Sequence, residues 1–446
     1  MNNNFRNVYM LVGCFCLLIA ISSCSVNKQI SRQASKLLLK DTAIRQGHIG
    51  ISIYEPASGK YWYEHDAEKY FVPASNTKLF SLYAGMKYLG DSLNGFKIYE
   101  TADSIYFKPN GDPTFLHPDF INQSFFNLLQ SSKKKIAYPI DINHRFEALG
   151  LGWAWDDYGS GYMAERSSFP IYGNEVTFIS NGKTIQSIPS YFLRKCFDEP
   201  MIQLLGSDGK FIVSRSKESN KFNFRTKSSE VFKKQEIPFI TNYSFFNLEL
   251  LLDTLGLPYN FMPQYFGKAK KYTNYKTQPA DSLFKPMMHR SDNFFAEQTL
   301  LMASNEKLGY MSDGEMIANL LNTDLKDIPQ KPKWVDGSGL SRYNLFTPKS
   351  FVYLLNKMKN EFDWERIKNI LPTGGEGTLS SYYKTEKGFI YAKTGTLSNN
   401  CALSGYLITK NNKLLIFSVL ANNYQTGATP VRRAVEKFLK NIREKY

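Results

Sequence analysis

Residues 73–88 read PASNTKLFSLYAGMKY, and this segment determines how the rest of the chain is interpreted. Pro73 favours the first turn of a helix, and apolar residues at helical spacing continue the pattern to about Tyr88. Ser75 and Lys78 are three positions apart, so they share one face of the predicted helix. A serine hydroxyl needs a neighbouring base to become a nucleophile, and a lysine in a dry site can lose its proton and act as that base. The segment therefore predicts Ser75 as a nucleophile and Lys78 as its general base.

Serine and lysine at this spacing are a weak signal by themselves. The same spacing recurs at Ser131 and Lys134 and at Ser381 and Lys384, where a pair of surface side chains explains it equally well. The setting of Ser75 is different, because a proline precedes it, an apolar helix follows it and a predicted hairpin lies upstream.

Both ends of the chain predict the same antiparallel sheet. Residues 28–46 have a helical pattern, and residues 48–65 read as a hairpin. Residues 402–420 read as a second hairpin, and Thr429 is expected to cap the last helix. We therefore expect an α/β (α+β) fold in which the two chain ends complete one antiparallel sheet flanked by helices.

The middle of the chain, residues 95–274, has a different composition. Short aromatic segments alternate with Gly, Asn, Asp and Pro turns, and residues 180–238 are polar and rich in lysine. We predict a mostly β insertion over 95–274, with a nested unit at about 180–238, that interrupts a discontinuous domain made of residues 24–94 and 275–446. A helical pattern returns near residues 282–302.

A second chemical motif is Ser291-Asp292-Asn293. Its serine hydroxyl can relay a proton, and its asparagine amide can hold a substrate carbonyl. Taken alone, the motif is explained better as the N-terminal cap of a helix.

The third motif, Lys393-Thr394-Gly395-Thr396, leads into a predicted strand. The lysine and threonine side chains could bind a terminal carboxylate, and Gly395 lets a substrate lie against the strand edge. The backbone N–H of Thr396 could form an oxyanion hole with that of Ser75. Taken alone, a lysine-bearing edge strand explains these residues as well.

The three motifs in this order are typical of penicillin-binding proteins and β-lactamases. The chain resembles the three-domain, low-molecular-mass penicillin-binding proteins, the D-alanyl-D-alanine carboxypeptidase/endopeptidases. The resemblance runs from about residue 45 to 425 and includes three further segments: Asn110-Gly111-Asp112-Pro113-Thr114, Gly152-Trp153-Ala154-Trp155-Asp156-Asp157 and Asp336-Gly337-Ser338-Gly339-Leu340-Ser341-Arg342.

This resemblance implies a penicillin-binding/β-lactamase-like transpeptidase domain and a role for each motif. Ser75 would attack the penultimate D-alanine carbonyl of a peptidoglycan stem peptide, with Lys78 as base. Ser291 would pass a proton to the leaving amine with help from Lys393, and Asn293 would bind the peptide carbonyl. The terminal carboxylate would be held by Lys393, Thr394 and Thr396. By the same resemblance, β-lactams would acylate the serine and leave slowly.

Two other classes of function stay open at this stage. One is a β-lactamase or esterase on the same scaffold, and the other is a non-catalytic envelope lipoprotein. The long insertion argues against the former, because simple β-lactamases lack it, and the intact motifs argue against the latter.

The N-terminus reads as a targeting segment. Arg6 precedes an apolar run over residues 8–21, which is too short to span a bilayer comfortably, and the run ends in Ile21-Ser22-Ser23-Cys24. It resembles a lipoprotein signal peptide over residues 1–23 with lipidation at Cys24, although an ordinary signal peptide with an accidental cysteine would look similar. We expect a periplasm-facing lipoprotein that is attached to a membrane through its lipid.

The composition excludes few classes of function. The net charge is +15, but it is spread along the chain, and no nucleic-acid-binding signature occurs, so we expect no nucleic-acid partner. The histidines show no ligand spacing, so we predict no metal and no cofactor. Cys196 and Cys401 could form a disulfide or remain free thiols.

Overall fold

The computed structural model describes residues 26–138, 145–180, 184–196, 203–204, 212–226, 233–242, 244–257 and 271–446. The signal peptide and Cys24, as well as parts of the predicted nested unit, lie outside these residues. The chain divides into two compact units. The first contains the described residues up to Leu79 with Asp327–Trp334 and Tyr343–Tyr446, and the second contains Phe80–Lys326 and Val335–Arg342. The domain limits predicted from the sequence stay predictions.

The fold combines helices and strands throughout the described residues. The strands are β1 His48–Glu55, β2 Lys60–His65, β3 Ser92–Glu100, β4 Ser104–Pro109, β5 Lys135–Ala137, β6 Glu175–Ser180, β7 Ile185–Ile188, β8 Gln203–Leu204, β9 Ile212–Arg215, β10 Phe222–Thr226, β11 Lys233–Pro238, β12 Thr273–Pro279, β13 Ile390–Leu397, β14 Asn400–Ile408 and β15 Leu414–Asn422. The helices are α1 (26–34), α2 Lys78–Tyr88, α3 Ser124–Ser131, α4 Tyr191–Lys195, α5 Phe245–Thr254, α6 Ala280–His289, α7 Asn293–Leu308, α8 Asp313–Asn322, α9 Pro348–Glu361, α10 Trp364–Ile370 and α11 Ala428–Lys445. Shorter helical turns cover Ser35–Leu39, Ala74–Thr77, Trp155–Asp157, Gly161–Met163, Tyr172–Asn174, Gly377–Leu379 and Lys384–Glu386.

The first unit is built on a five-stranded sheet in the order β13-β14-β15-β1-β2. All four pairings are antiparallel, and β1 lies beside β15 with Ile51 opposite Val419. The two hairpins predicted from opposite ends of the chain are therefore neighbours in one sheet, as expected. Because β13 is at the edge of this sheet, the Lys-Thr-Gly-Thr motif lies on an edge strand.

Helices cover both faces of this sheet. Ile51 and Val419 pack on one face in a buried cluster with Ile30 of α1 and Phe438 of α11. On the other face, a side chain at Gly50 would collide with Pro348, the first residue of α9. Alternate strand residues point to opposite faces, so this arrangement gives helix, sheet and helix layers. The last helix begins at Ala428, after an uncapped Gly427. The prediction that Thr429 caps it was therefore wrong.

The second unit contains three smaller sheets and a core rich in phenylalanine. The sheets have the orders β12-β3-β4-β5, β11-β6-β7 and β8-β10-β9. Phe96, Phe107 and Phe178 of the strands are buried in one cluster with residues of α3, α4 and α5. Several aromatic segments of the middle region are thus strands, as the composition predicted, but the aromatic segments of α3, α4 and α5 are helices. The helical pattern near 282–302 corresponds to two helices, α6 and α7, with a break between them.

Candidate active site

Ser75 lies in a tight turn at the start of α2. The predicted helix begins as a 3₁₀ turn, Ala74–Thr77, and becomes α-helical at Lys78. Ala74 has a φ of 47°, a left-handed conformation that an alanine adopts at a cost of about 1–2 kcal/mol. Strained residues of this kind occur where the surrounding structure fixes a side chain for function. The turn leaves Ser75 partly exposed, whereas Lys78 is 0% exposed.

The side chains of Ser75 and Lys78 are in direct contact. Lys78 Nζ donates a hydrogen bond to Ser75 Oγ at 2.9 Å. This distance lies within the range for proton transfer between a nucleophile and a general base. The structure therefore brings together the pair that the sequence predicted.

Asn76 attaches this turn to the central sheet, and sequence reasoning missed its importance. It is buried, and its Nδ2 donates to Ser404 Oγ on β14 at 2.7 Å. Ser404 Oγ in turn donates to Ser418 Oγ on β15 at 2.8 Å. The nucleophile turn is thus held through a buried polar chain to two strands.

We expect Asn76→Ala to lower the free energy of unfolding by about 1–3 kcal/mol, because it leaves the buried Ser404 hydroxyl with one partner fewer. Denaturant titration measures the change. Asn411→Ala, in an exposed turn of the same unit, is the matched control and should shift stability by about 0.5 kcal/mol or less. Equal values for the two variants would contradict the anchoring role.

Strand β13 passes directly beside the nucleophile turn. A Cβ atom at Gly395 would lie 2.6 Å from the Pro73 carbonyl oxygen and 3.1 Å from the backbone nitrogens of Ser75 and Asn76. A side chain at this position would force one of the two backbones to shift, because contacts below 3.0 Å are too short. Glycine, which has no Cβ, permits the close approach. The first unit therefore places Ser75, Lys78 and the Lys-Thr-Gly-Thr strand together.

Lys393 is 0% exposed, and its Nζ donates to the backbone carbonyl of Thr394 at 2.8 Å. Burial lowers the pKa of this lysine well below its ordinary value, and the positive charges of Lys78 and Arg432 lower it further. Thr394 is also buried, whereas Thr396 is exposed at the end of the motif.

Ser291 and Asn293 belong to the second unit. Ser291 has a φ of 65° and forms the break between α6 and α7. Asp292 caps α7 by accepting a hydrogen bond from Phe295 N at 3.0 Å, and Asn293 Nδ2 donates to the Tyr162 carbonyl at 2.9 Å. The capping role proposed for this motif is therefore present. The catalytic roles of Ser291 and Asn293 stay predictions.

A buried ionic cluster lies one turn further along α7, and it was missed from the sequence. Arg166 Nη1 is 2.6 Å from a carboxylate oxygen of Asp313 and 3.4 Å from Glu297. Glu297 also accepts from Ser338 N at 2.7 Å. Burial, followed by the charge of Asp336, raises the pKa of Glu297 to about 7, and Arg166 offsets this only in part. Arg166 lies closer to Asp313 than to Glu297, so the guanidinium offsets the burial of Glu297 only weakly.

This cluster predicts a pH dependence of stability. The folded-state pKa of Glu297 exceeds its usual value of 4.5, so the folded protein binds more protons than the unfolded chain between these two pH values. Stability should therefore fall as pH rises from about 4.5 to 7, by about 2–3 kcal/mol at about 1.4 kcal/mol for each pKa unit. Denaturant titrations at several pH values should show a flatter profile for Glu297→Gln. The exposed Glu315→Gln serves as control, and a Glu297→Gln profile parallel to the wild type would refute the assignment.

The described residues show few other candidate sites. They contain no group of three or more His, Cys, Asp or Glu residues that could hold a metal ion. Cys196 and Cys401 are free thiols. No helix in the described part of the chain combines the length and the apolar character needed to cross a membrane.

Comparison with protein families identifies one match over most of the chain. The sequence profile of the D-Ala-D-Ala carboxypeptidase 3 (S13) family matches residues 31–187 and 265–442.

Two relatives are similar to this chain over most of their length. A D-alanyl-D-alanine carboxypeptidase from Actinomadura sp. is 23% identical over 448 residues, which cover 90% of this chain and 82% of that protein. A D-alanyl-D-alanine carboxypeptidase from Haemophilus influenzae is 22% identical over 425 residues, with coverages of 82% and 83%.

Solved structures show the same fold. The crystal structure of penicillin-binding protein 4 from Haemophilus influenzae superposes with a TM-score of 0.70 at 19% identity and covers 93% of this chain and 98% of that one. A complex of that protein with a β-lactam gives a TM-score of 0.67 at 18% identity, with coverages of 92% and 98%. The predicted penicillin-binding/β-lactamase-like fold is confirmed.

Proposed function

The chain belongs to the D-Ala-D-Ala carboxypeptidase 3 (S13) family and is a serine-type D-Ala-D-Ala carboxypeptidase. We propose that Ser75 is its nucleophile, the residue that the substrate acylates. The observation that supports this assignment most directly is the 2.9 Å contact between Ser75 Oγ and the buried amine of Lys78. A lysine amine in a buried site can give up its proton and act as a base, and this amine contacts a hydroxyl that is partly open to a substrate.

In the proposed reaction, Lys78 takes the proton of Ser75 as Oγ attacks the carbonyl of the penultimate D-alanine. The new C–O bond gives a tetrahedral oxyanion, and the backbone N–H groups of Ser75 and Thr396 would stabilise it. The C–N bond then breaks, and the leaving amine receives a proton. Water hydrolyses the acyl ester and returns a proton to Ser75.

The family resemblance assigns the remaining groups of this reaction. Ser291 would relay the proton to the leaving amine with Lys393, and Asn293 would bind the peptide carbonyl. These roles rest on the resemblance of the Ser-Asp-Asn motif to that of the family. Thr394, Gly395 and Thr396 would align the substrate along β13.

The proposed substrates are peptidoglycan stem peptides that end in D-alanyl-D-alanine, together with the corresponding cross-links. β-Lactams would acylate the same serine, a proposal supported by the β-lactam complex of the Haemophilus influenzae structure. Digestion of purified muropeptides tests the substrate. Release of D-alanine from pentapeptides, or cleavage of dimers, is expected, and unchanged muropeptides would refute the proposal.

Labelling with a fluorescent penicillin tests the acyl-enzyme. We expect a long-lived adduct on the wild-type protein. Rapid turnover of the label would indicate a β-lactamase instead, and absence of labelling would indicate a protein without this chemistry.

We also propose that the protein is a periplasm-facing lipoprotein attached to a membrane through Cys24. The support is the apolar run that ends in Ile21-Ser22-Ser23-Cys24. In cells fed a radiolabelled fatty acid, the wild type should incorporate label and Cys24→Ala should not. Equal incorporation, or none in either, would refute lipidation at this position.

A further inference from the structure

Arg432, in the first turn of α11, reaches the edge strand that carries the Lys-Thr-Gly-Thr motif. Its Nη2 donates a hydrogen bond to Thr396 Oγ1. The guanidinium also contacts the Cys401 thiol and lies 5.9 Å from the centre of the Tyr382 ring. Thr396 is exposed and Arg432 is half-buried, so both can meet a ligand that lies along β13.

The charge of Arg432 has no carboxylate partner among the described residues, and its Nε is buried without a hydrogen-bond acceptor. The adjacent Arg433 is different, because its Nη1 is 2.6 Å from a carboxylate oxygen of Glu436. A guanidinium has five N–H donors in a planar fork that matches a carboxylate. One N–H is used by Thr396, and the remaining donors are suited to an anion, which no carboxylate within the described parts of the chain supplies.

Lys393 is less suited than Arg432 to binding an anion at this end of the motif. It is buried, and its Nζ already donates to the Thr394 carbonyl. Burial also lowers its pKa well below the ordinary value, whereas an arginine stays protonated in proteins. The fixed positive charge beside the exposed end of the motif therefore belongs to Arg432.

We propose that Arg432, together with Thr396, binds the carboxylate of the D-amino acid that the enzyme releases. This inference rests on the proposed function, because it assumes that the substrate lies along β13 with its C-terminus towards Thr396. It adds a residue from the last helix to the carboxylate site, and it makes the free C-terminal acid the feature of the substrate that Arg432 recognises.

The test compares a free acid with its amide. The substrates are an N-acyl-D-alanyl-D-alanine peptide and the same peptide as a C-terminal carboxamide, and kcat/KM is measured for each from the amine released. Arg432→Gln should lower kcat/KM for the acid by about 10- to 100-fold, the effect of one lost charge-assisted hydrogen bond, and should change that for the amide by about threefold or less. Arg432→Lys should restore part of the loss.

Arg433→Gln is the matched control, because it removes the neighbouring guanidinium, which already has its own carboxylate partner. It should leave unchanged the ratio of kcat/KM for the acid to kcat/KM for the amide. A similar loss for both substrates in Arg432→Gln, or no loss for either, would overturn the proposal, because a purely structural role would affect the two equally.

A second measurement separates this inference from the proposed function. Binding of the acid and the amide to the Ser75→Ala protein, measured by calorimetry, requires no catalysis. A preference for the acid that disappears in the double variant with Arg432→Gln supports the carboxylate site even if the wild type cleaves neither peptide. A preference that persists, or no preference at all, refutes the carboxylate site and leaves the acylation of Ser75 to be judged by penicillin labelling.

Discussion

Ser75→Ala is expected to lower kcat for D-alanine release by at least about ten-thousand-fold, because loss of a serine nucleophile removes the whole covalent pathway. It should also abolish labelling by fluorescent penicillin, since no hydroxyl remains to form the ester. The change deletes one partly exposed oxygen, so the free energy of unfolding should move by about 1 kcal/mol or less. Release of D-alanine and intact-protein mass spectrometry measure the two effects.

The matched control for this variant is Ser380→Ala. Ser380 is exposed in the same unit, and its replacement removes the same atom from a residue that has no proposed role in the reaction. It should retain wild-type activity and labelling. Wild-type turnover by the Ser75→Ala protein would refute the assignment of the nucleophile.

Lys78→Met is expected to produce the second largest effect. Methionine fills most of the same buried volume but has no amine, so Ser75 loses the group that takes its proton. We expect kcat to fall by about 100- to 10,000-fold, the range for loss of a general base. The measurement is the rate of acylation by a penicillin under single-turnover conditions.

Lys78→Met should lower activity without lowering stability. Burial of an amine is unfavourable, and its replacement by an apolar side chain of similar size is often neutral or stabilising by about 1–2 kcal/mol. The free energy of unfolding should therefore stay equal or rise while activity falls. Lys87→Met, nearer the other end of α2, is the control and should leave acylation unchanged. Parallel loss of activity and stability would indicate a purely structural lysine.

Much of the first unit could be predicted from the sequence because its signals are local. The β-branched alternation around Ile51 predicted a strand, and the Ser-x-x-Lys spacing placed two side chains on one helical face. The contact between Ser75 and Lys78 follows from that spacing, since residues one helical turn apart are neighbours.

Contacts between distant segments could not be predicted in this way. Asn76 and Ser404 are 328 positions apart, and nothing in either local pattern indicates that their side chains meet. Arg432 belongs to none of the motifs identified in the sequence, and its neighbours Val431 and Val435 are buried residues of α11 with no chemical role. Such partners are determined by the sheet register, which a single sequence does not contain.

Backbone conformation was the other source of error. The helical pattern of residues 282–302 continues through Ser291, but the positive φ of this serine separates α6 from α7. Serine in a left-handed conformation is uncommon, and periodicity gives no warning of it. In the same way, nothing in the sequence distinguished the 3₁₀ turn at Ser75 from a regular helix.

The pairing of β1 with β15 also has a consequence for biosynthesis. Val72 N and Asn422 Oδ1, which are 350 positions apart, form a hydrogen bond of 2.7 Å, so the sheet stays incomplete until almost the whole polypeptide has been made. At about 5–20 residues per second, a ribosome needs roughly 20 to 70 seconds to cover that interval. During this time the isoleucine-rich first strand can pair with β2 on one side, but its other edge lacks β15. We expect the nascent chain to depend on a holding chaperone, and a C-terminal truncation before β15 to aggregate rather than fold.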